Sequence, residues 1–269
     1  MEESESRAFA EAVVTTYAHN SPKGMCLLSS GYGPLGWTQN RVWKAVFTND
    51  ECPPLVVKIG DGPMACFVVK EIDILSGVLP GSHPNLPVVY LASREPTPYI
   101  LMECLAPVPL YADLKETPPG LARELALILP SILLTSNPDR IGVDIPNMMG
   151  AAITDTKGID IPWALSCGNL SLRNVGRRSD GTLVVFDWDA ARRAPIGADF
   201  KFFSGHADFV GIMEAFHGRC QELGAKMPPA EMWLQRLREI WHDEDREMER
   251  HKPSGPYAAE YRNTIAFKQ

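Results

Sequence analysis

The chain is 269 residues long, 45% hydrophobic and 22% charged, with a formal net charge of −7. That length suits one two-lobed domain or two small ones, and the balance of residue types is that of an ordinary globular protein. The net negative charge argues against a nucleic-acid partner, which normally needs a basic face. No apolar run approaches the roughly 18 residues of a membrane span.

The six cysteines are scattered, and none forms a CxxC pair. A zinc site or a disulfide framework is therefore not expected, and a reducing compartment is. The opening MEESESRAFAEAVV is acidic and amphipathic, unlike a signal peptide. The expectation is a cytoplasmic protein without a membrane partner.

Residues 4–18 read as a helix, with Phe9, Val13, Val14 and Tyr17 at helical spacing. From Cys26 to Ile59 the texture is that of strands. Leu27 and Leu28 lead into a glycine cluster, Val42–Phe47 alternates, and Leu55–Ile59 is a compact apolar run carrying Lys58. The cluster, Gly31-Tyr32-Gly33-Pro34-Leu35-Gly36, has GxGxxG spacing. A dinucleotide fingerprint would open a helix, whereas Trp37–Phe47 reads as a strand. Two readings fit that context: a glycine-rich hairpin turn covering phosphates, or a loop that simply needs positive φ angles.

Asp61-Gly62-Pro63 signals a helix start, with Met64–Ser76 as the helix and Gly77 as its stop. Phe67, Glu71 and Leu75 are spaced four apart on it, which puts a carboxylate on the apolar stripe. A carboxylate turned inward needs a cation, and Lys58 is the nearest in sequence. The alternative is a Glu71 at the edge of the stripe, reaching for water.

Val88–Leu91 and Tyr99–Cys104 read as two more strands. Beyond Pro107 and Pro109 the composition turns helical. Leu121–Leu134 is nearly all apolar, as in a helix buried in a larger lobe, with Pro130 bending or ending it. Residues 165–187 return to strands and turns. Residues 230–250 form a helix with Trp233, Leu234, Leu237, Ile240 and Trp241 on one face. The expected division is a strand-rich lobe with one helix over 1–104 and a mainly helical lobe over 105–269.

One segment stands out for its oxygen ligands. Cys167-Gly168-Asn169-Leu170-Ser171-Leu172-Arg173-Asn174 is separated from Leu183–Asp189 by Ser179-Asp180-Gly181, a hairpin signal. With Asp180-Gly181 as a two-residue turn, Asn174 and Asp187 face each other across the ladder. An amide oxygen beside a carboxylate suits Mg²⁺. An ordinary surface hairpin with a polar pair is the plainer reading.

Taken in order, these parts make the sequence resemble the aminoglycoside-phosphotransferase and choline-kinase-like family, from about Leu27 to Phe203. The resemblance implies an α+β, two-lobed, protein-kinase-like fold, with a small antiparallel sheet and one helix in the N-lobe and a larger, mainly helical C-lobe. It implies that Gly31, Gly33 and Gly36 cover a nucleotide, that Lys58 holds its phosphates and that Glu71 fixes Lys58. In Tyr99–Leu105 it identifies a hinge: Met102 would sit behind the adenine, and the backbone of Glu103 to Leu105 would hydrogen-bond it. The family's HGDxxxxN stretch and following IDW correspond to Cys167-Gly168-Asn169, Asn174 and Phe186-Asp187-Trp188. Asn174 and Asp187 would hold Mg²⁺. Asp199 matches an aspartate that braces the catalytic loop, and it also reads as a cap for a helix from Phe200 onward. The implied cofactors are ATP, or GTP, with Mg²⁺. The implied acceptor is a small molecule or a biosynthetic peptide bearing a hydroxyl, chosen by residues within 110–160 and 204–269.

Two residues depart from the family pattern. Cys167 replaces its histidine, and Asn169 replaces the aspartate that contacts the acceptor. An amide can orient a hydroxyl but cannot usefully take its proton, and general-base help is typically worth about 10²–10⁴-fold. Phosphoryl transfer relies chiefly on positioning and electrostatics. The sequence thus supports two functions: a slow ATP-dependent phosphotransferase, or a pseudokinase that binds nucleotide and presents a peptide or partner enzyme. No GxSxG, HExxH or histidine cluster offers another chemistry.

Overall fold

A computed structural model describes residues 1–18, 26–29, 41–47, 53–62, 65–108, 119–137 and 160–250. The glycine cluster with Gly31, Gly33 and Gly36 lies outside the described residues. So do most of the expected acceptor region 110–160 and the tail 252–269.

The first half is an antiparallel sheet with a helix on either face. Its strands are β1 (Cys26–Ser29), β2 (Arg41–Val46), β3 (Leu55–Ile59), β4 (Val89–Ser93) and β5 (Tyr99–Glu103), in the spatial order β1-β2-β3-β5-β4. Alternation along β3 sorts its side chains. Leu55, Val57 and Ile59 pack with Ala10, Val13 and Val14 of helix α1 (Glu3–Ala18). Trp43 of β2 joins that layer and donates its ring N–H to the buried Ser6 hydroxyl at 2.8 Å. Val56 and Lys58 therefore face the other way, toward α2 (Ala65–Asp73), whose Val68 and Ile72 pack on Ile100 and Met102. The helix expected to run to Ser76 widens instead into a π-turn, Ile74–Val78, closed by the Leu79 N–H on the Ile74 carbonyl at 2.9 Å.

The second half holds β6 (Ala106–Pro107), α3 (Pro119–Thr135), β7 (Trp163–Ser166), β8 (Val175–Arg177), β9 (Leu183–Val185), β10 (Arg192–Pro195), α4 (Phe209–Glu222) and α5 (Ala230–Arg250). Short 3₁₀ turns cover Leu172–Asn174 and Ala198–Phe203. Strand β6 pairs with β8 and β8 with β9, while β7 pairs with β10. Pro130 does not end α3, which continues to Thr135. Leu129, Ile132 and Leu133 around it are fully or almost fully buried, so packing holds the turn whose N–H the proline lacks. On α5, Trp233, Leu237, Ile240 and Trp241 are buried as the stripe predicts. Both indoles donate into the 3₁₀ region, Trp233 to the Ile196 carbonyl at 3.0 Å and Trp241 to that of Ala198 at 3.1 Å.

This is the two-lobed α+β architecture that the resemblance implies. Among the described residues, no helix is long and apolar enough to cross a membrane.

Candidate active site

The site grows from the buried face of β3. Lys58 has Ile100 of β5 and Val42 of β2 as its cross-strand neighbours, so its stem is walled in and its ammonium can leave only toward α2. There Nζ lies 2.6 Å from Oε2 of Glu71, the inward carboxylate of the α2 stripe. Two more carboxylates converge from the segment after β9: Asp187 Oδ1 at 2.6 Å and Asp189 Oδ2 at 3.2 Å. Residues 129 and 131 positions away in sequence thus meet one lysine. The expected pair of Lys58 and Glu71 is present, and Asp187 joins it from the other lobe.

Local backbone explains how Asp187 gets there. It adopts φ 64°, left-handed for a residue that tolerates it better than most. The turn swings its carboxylate toward Lys58 while Trp188 goes fully inward, its ring N–H on the Val185 carbonyl at 3.0 Å. The Trp188 backbone N–H donates to Glu71 Oε1 at 3.1 Å. Glu71 thus ties α2 to this turn with one oxygen and holds Lys58 with the other.

The register of the β8–β9 hairpin differs from expectation. Val175 pairs with Val185 and Arg177 with Leu183, so the loop takes three residues, Ser179-Asp180-Gly181, rather than two. The Gly181 N–H closes a turn on the Arg178 carbonyl at 3.0 Å, and Gly181 at φ 88° supplies the left-handed step that a three-residue hairpin needs. Asn174 consequently stands opposite Phe186, whose N–H it accepts at 3.0 Å, and not opposite Asp187. The two remain near neighbours at the open end of the hairpin. The Asn174 amide nitrogen donates to the Asn169 carbonyl at 2.8 Å, which leaves its Oδ1 as the group's acceptor.

Asn169 follows a turn fixed from beneath. Asp199 accepts from the Ser166 hydroxyl at 2.8 Å, the Gly168 N–H at 3.0 Å, the Cys167 N–H at 3.2 Å and the Cys167 thiol at 3.3 Å. Gly168 sits at φ +74°, where a Cβ would lie 2.1 Å from the Ala190 carbonyl oxygen. Asp199 therefore braces the loop. It does not cap: Gly197 is the cap residue of the 3₁₀ turn, and no side chain bonds there. Burial, with the Asp199 charge second, holds the Cys167 thiol well above its usual value, so it stays neutral.

The connector follows β5. Met102 is buried at the end of β5 among α2 residues. The Glu103 N–H is used by the Val88 carbonyl at 3.0 Å and that of Cys104 by Pro54 at 3.1 Å. Of the backbone expected to meet the base, the Glu103 and Cys104 N–H groups are thus engaged within the protein, and among the described residues the Leu105 N–H is not. The Glu103 side chain turns away to Arg178.

Electrostatically, the centre is one ammonium among three carboxylates. Burial alone would lower the Lys58 pKa, but Asp187, Glu71 and Asp189 outweigh it and hold the ammonium well above its usual value. Burial pushes the Glu71 carboxyl up, Lys58 pulls it back, and the Asp187 and Asp189 charges raise it again, to about 7. Asp189 is raised by burial, against Lys58 and with Asp187. The surplus of negative charge fits a hard cation. One oxygen from each of Glu71, Asp187 and Asp189 lies within 4.8 Å of the others. Both Glu71 oxygens are already bonded, so the free capacity lies with Asp187, the most open of the three at 29% side-chain exposure, with Asp189, and with Asn174 Oδ1.

Asp189 is the residue that sequence reasoning passed over. The signal was its spacing: two positions after Asp187 across a tryptophan that has to point inward.

No family model matches the sequence, and no curated protein matches it. Solved structures do. Choline kinase LicA from Streptococcus pneumoniae is 13% identical, with 97% of this chain and 99% of that chain covered at a TM-score of 0.54. Macrolide 2′-phosphotransferase MphH from Brachybacterium faecium is 14% identical, with 96% and 98% covered at a TM-score of 0.58. At such identities the likeness is one of fold: the chain has the protein-kinase-like two-lobed fold over nearly its whole length.

Proposed function

We propose that the chain is an ATP- and Mg²⁺-dependent phosphotransferase acting on a hydroxyl of a small molecule or peptide, slowed by Asn169. The observation that carries this reading is the meeting of Lys58 and Glu71 from one lobe with Asp187 and Asp189 from the other in a cluster of surplus negative charge. In this reading Lys58 binds nucleotide phosphates and Glu71 keeps it aimed. Asp187, Asn174 and Asp189 hold the cation, whose part is to offset charge on the phosphates. Leu105 offers its backbone to the base, with Met102 behind it. Asn169 orients the acceptor hydroxyl without taking its proton.

ATP consumption measured in the presence of Mg²⁺ tests the assignment. It is expected to be slow and to stop in Asp187→Ala; consumption unchanged by that substitution refutes the role given to the cluster.

Asn169 and Cys167 favour a second reading, a pseudokinase that binds nucleotide and a peptide or partner enzyme. The brace around them is complete, so the loop keeps its shape without the family's histidine at 167 or its aspartate at 169. Asn169→Asp separates the two. A large gain in turnover identifies a slowed kinase; ATP binding without turnover identifies a binding module.

A further inference from the structure

Arg178 stands outside the phosphate site, half-buried beside the turn between β8 and β9, and its guanidinium reaches two chain segments, 84–86 and the end of β5. Nε and Nη2 donate to Glu103 Oε2 and Oε1 at 2.8 and 2.6 Å. Nη2 also donates to the Leu86 carbonyl at 2.8 Å, and Nη1 to that of Pro84. Glu103 Oε1 in addition accepts the Val88 N–H at 2.8 Å. A planar guanidinium on both oxygens of a carboxylate fixes orientation as well as distance. The two side chains are only 21% and 14% exposed, which sets this pair apart from a surface ion pair.

The same hairpin supports the connector at a second point. A Cβ on Gly176 of β8 would lie 2.6 Å from Leu105 Cβ and 3.1 Å from the Ala106 carbonyl oxygen, so only glycine lets the connector lie this close. Ala106 and Pro107 are then paired to Arg177 and Gly176. On its other strand, β9 is tied to the segment before β4: Asn85 Nδ2 donates to the Leu183 carbonyl at 2.7 Å, and the Val185 N–H to the Asn85 carbonyl at 3.0 Å. At its open end the hairpin carries Asn174 and leads into Asp187.

We propose that the β8–β9 hairpin sets the separation between the connector that receives the nucleotide base and the groups that receive its phosphates, with Arg178 as the positioning residue. The inference rests on the nucleotide reading above. A nucleotide engages both ends at once, so a connector that drifts relative to Lys58 and Asp187 loses the base contact while the phosphate contact survives. Arg178 acts through Glu103 and touches no ligand. Lysine cannot replace it, because one ammonium does not span both Glu103 oxygens and the two carbonyls.

The test is calorimetry on the full chain with two probes, ATP–Mg²⁺ and inorganic tripolyphosphate–Mg²⁺. Arg178→Ala and Arg178→Lys are both expected to weaken ATP–Mg²⁺ by about tenfold or more and to leave tripolyphosphate–Mg²⁺ within about twofold. Where the alanine variant does not fold, the lysine variant and Glu103→Gln carry the comparison. ATP–Mg²⁺ affinity unchanged in the folded variants overturns the proposal. So does a parallel loss for both probes, which is what general loosening of the fold produces. A wild-type chain that binds neither probe refutes instead the nucleotide reading on which the inference stands.

Discussion

Asp189→Asn weighs the charge balance of the site directly. Asp189 has two attractions, to Lys58 at 3.2 Å and a weaker one to Lys70, and two repulsions, from the Glu71 and Asp187 oxygens within 4.8 Å. At an effective dielectric of about 20, these separations correspond to roughly 5 kcal/mol for the Lys58 attraction and roughly 3.5 kcal/mol for each repulsion. The two repulsions exceed the Lys58 attraction by roughly 2 kcal/mol, Lys70 offsets part of that excess, and burial of the carboxylate is the largest cost. The raised pKa of Asp189 has the same sign. Lys58 keeps two carboxylates after the substitution, so no buried cation is left bare. The ligand-free variant should therefore be more stable than wild type by about 1–2 kcal/mol, or about 3–6 °C in melting temperature for a chain of this size. Thermal melts at pH 7.5 in chelator read this. With saturating ATP–Mg²⁺ the order should narrow or reverse, because wild type has the extra ligand for the cation and gains more from binding. A variant that melts below wild type in chelator refutes the charge account.

Two other perturbations follow from the same geometry. Glu71 titrates near 7 when folded, above its ordinary value of 4.5, so the native state holds more protons across that window and its stability falls as pH rises through it. Glu71→Gln removes this contribution. The melting temperature of the variant relative to wild type should climb between about pH 5 and pH 7.5; a flat or falling difference in chelator refutes the assignment. Asp199→Ala strips the Ser166 hydroxyl and the Cys167 amide of their acceptor and leaves the Gly168 amide only its 3.1 Å bond to the Ser166 hydroxyl oxygen. Urea unfolding should show a loss of about 2–4 kcal/mol, tempered by relief of a buried carboxylate whose pKa burial has already raised; a loss under about 1 kcal/mol would show that the brace is dispensable.

Legibility in the sequence followed periodicity. The inward Glu71 was readable because a helical stripe has a fixed angular step, and a carboxylate on it demands a cation. The apolar run of β3 and the tryptophan stripe of α5 were readable for similar reasons. The hairpin register was not. Asp180-Gly181 carries the mark of a two-residue turn, but the Gly181 conformation belongs equally to a three-residue loop, and sequence does not say which residue before it opens the turn. Of the two effects expected of Pro130, bending or ending the helix, ending does not occur, because buried Leu129, Ile132 and Leu133 on either side of it keep the helix continuous. Asp189 was invisible for a third reason. Its partner lies 131 residues away, and only the inward turn of Trp188 reveals that positions 187 and 189 share a side.

Asn169→Asp is a clean probe of chemistry because of how the loop is built. The contact that holds position 169 is its backbone carbonyl, which accepts from Asn174. The loop beneath it hangs on Asp199 through amides of 167 and 168 and the Ser166 hydroxyl. Exchanging an amide for a carboxylate of the same size leaves all of these bonds in place, so the melting temperature should move by no more than about 2 °C, as for a substitution away from packed features. Turnover should respond by a much larger factor. If a missing proton acceptor limits the wild type, supplying one should raise the rate by about 10²–10⁴-fold. The gain should require Asp187, so Asn169→Asp combined with Asp187→Ala should be inactive. No turnover in the single variant, with ATP–Mg²⁺ still bound, refutes the phosphotransferase assignment and leaves nucleotide-dependent binding as the function of the site.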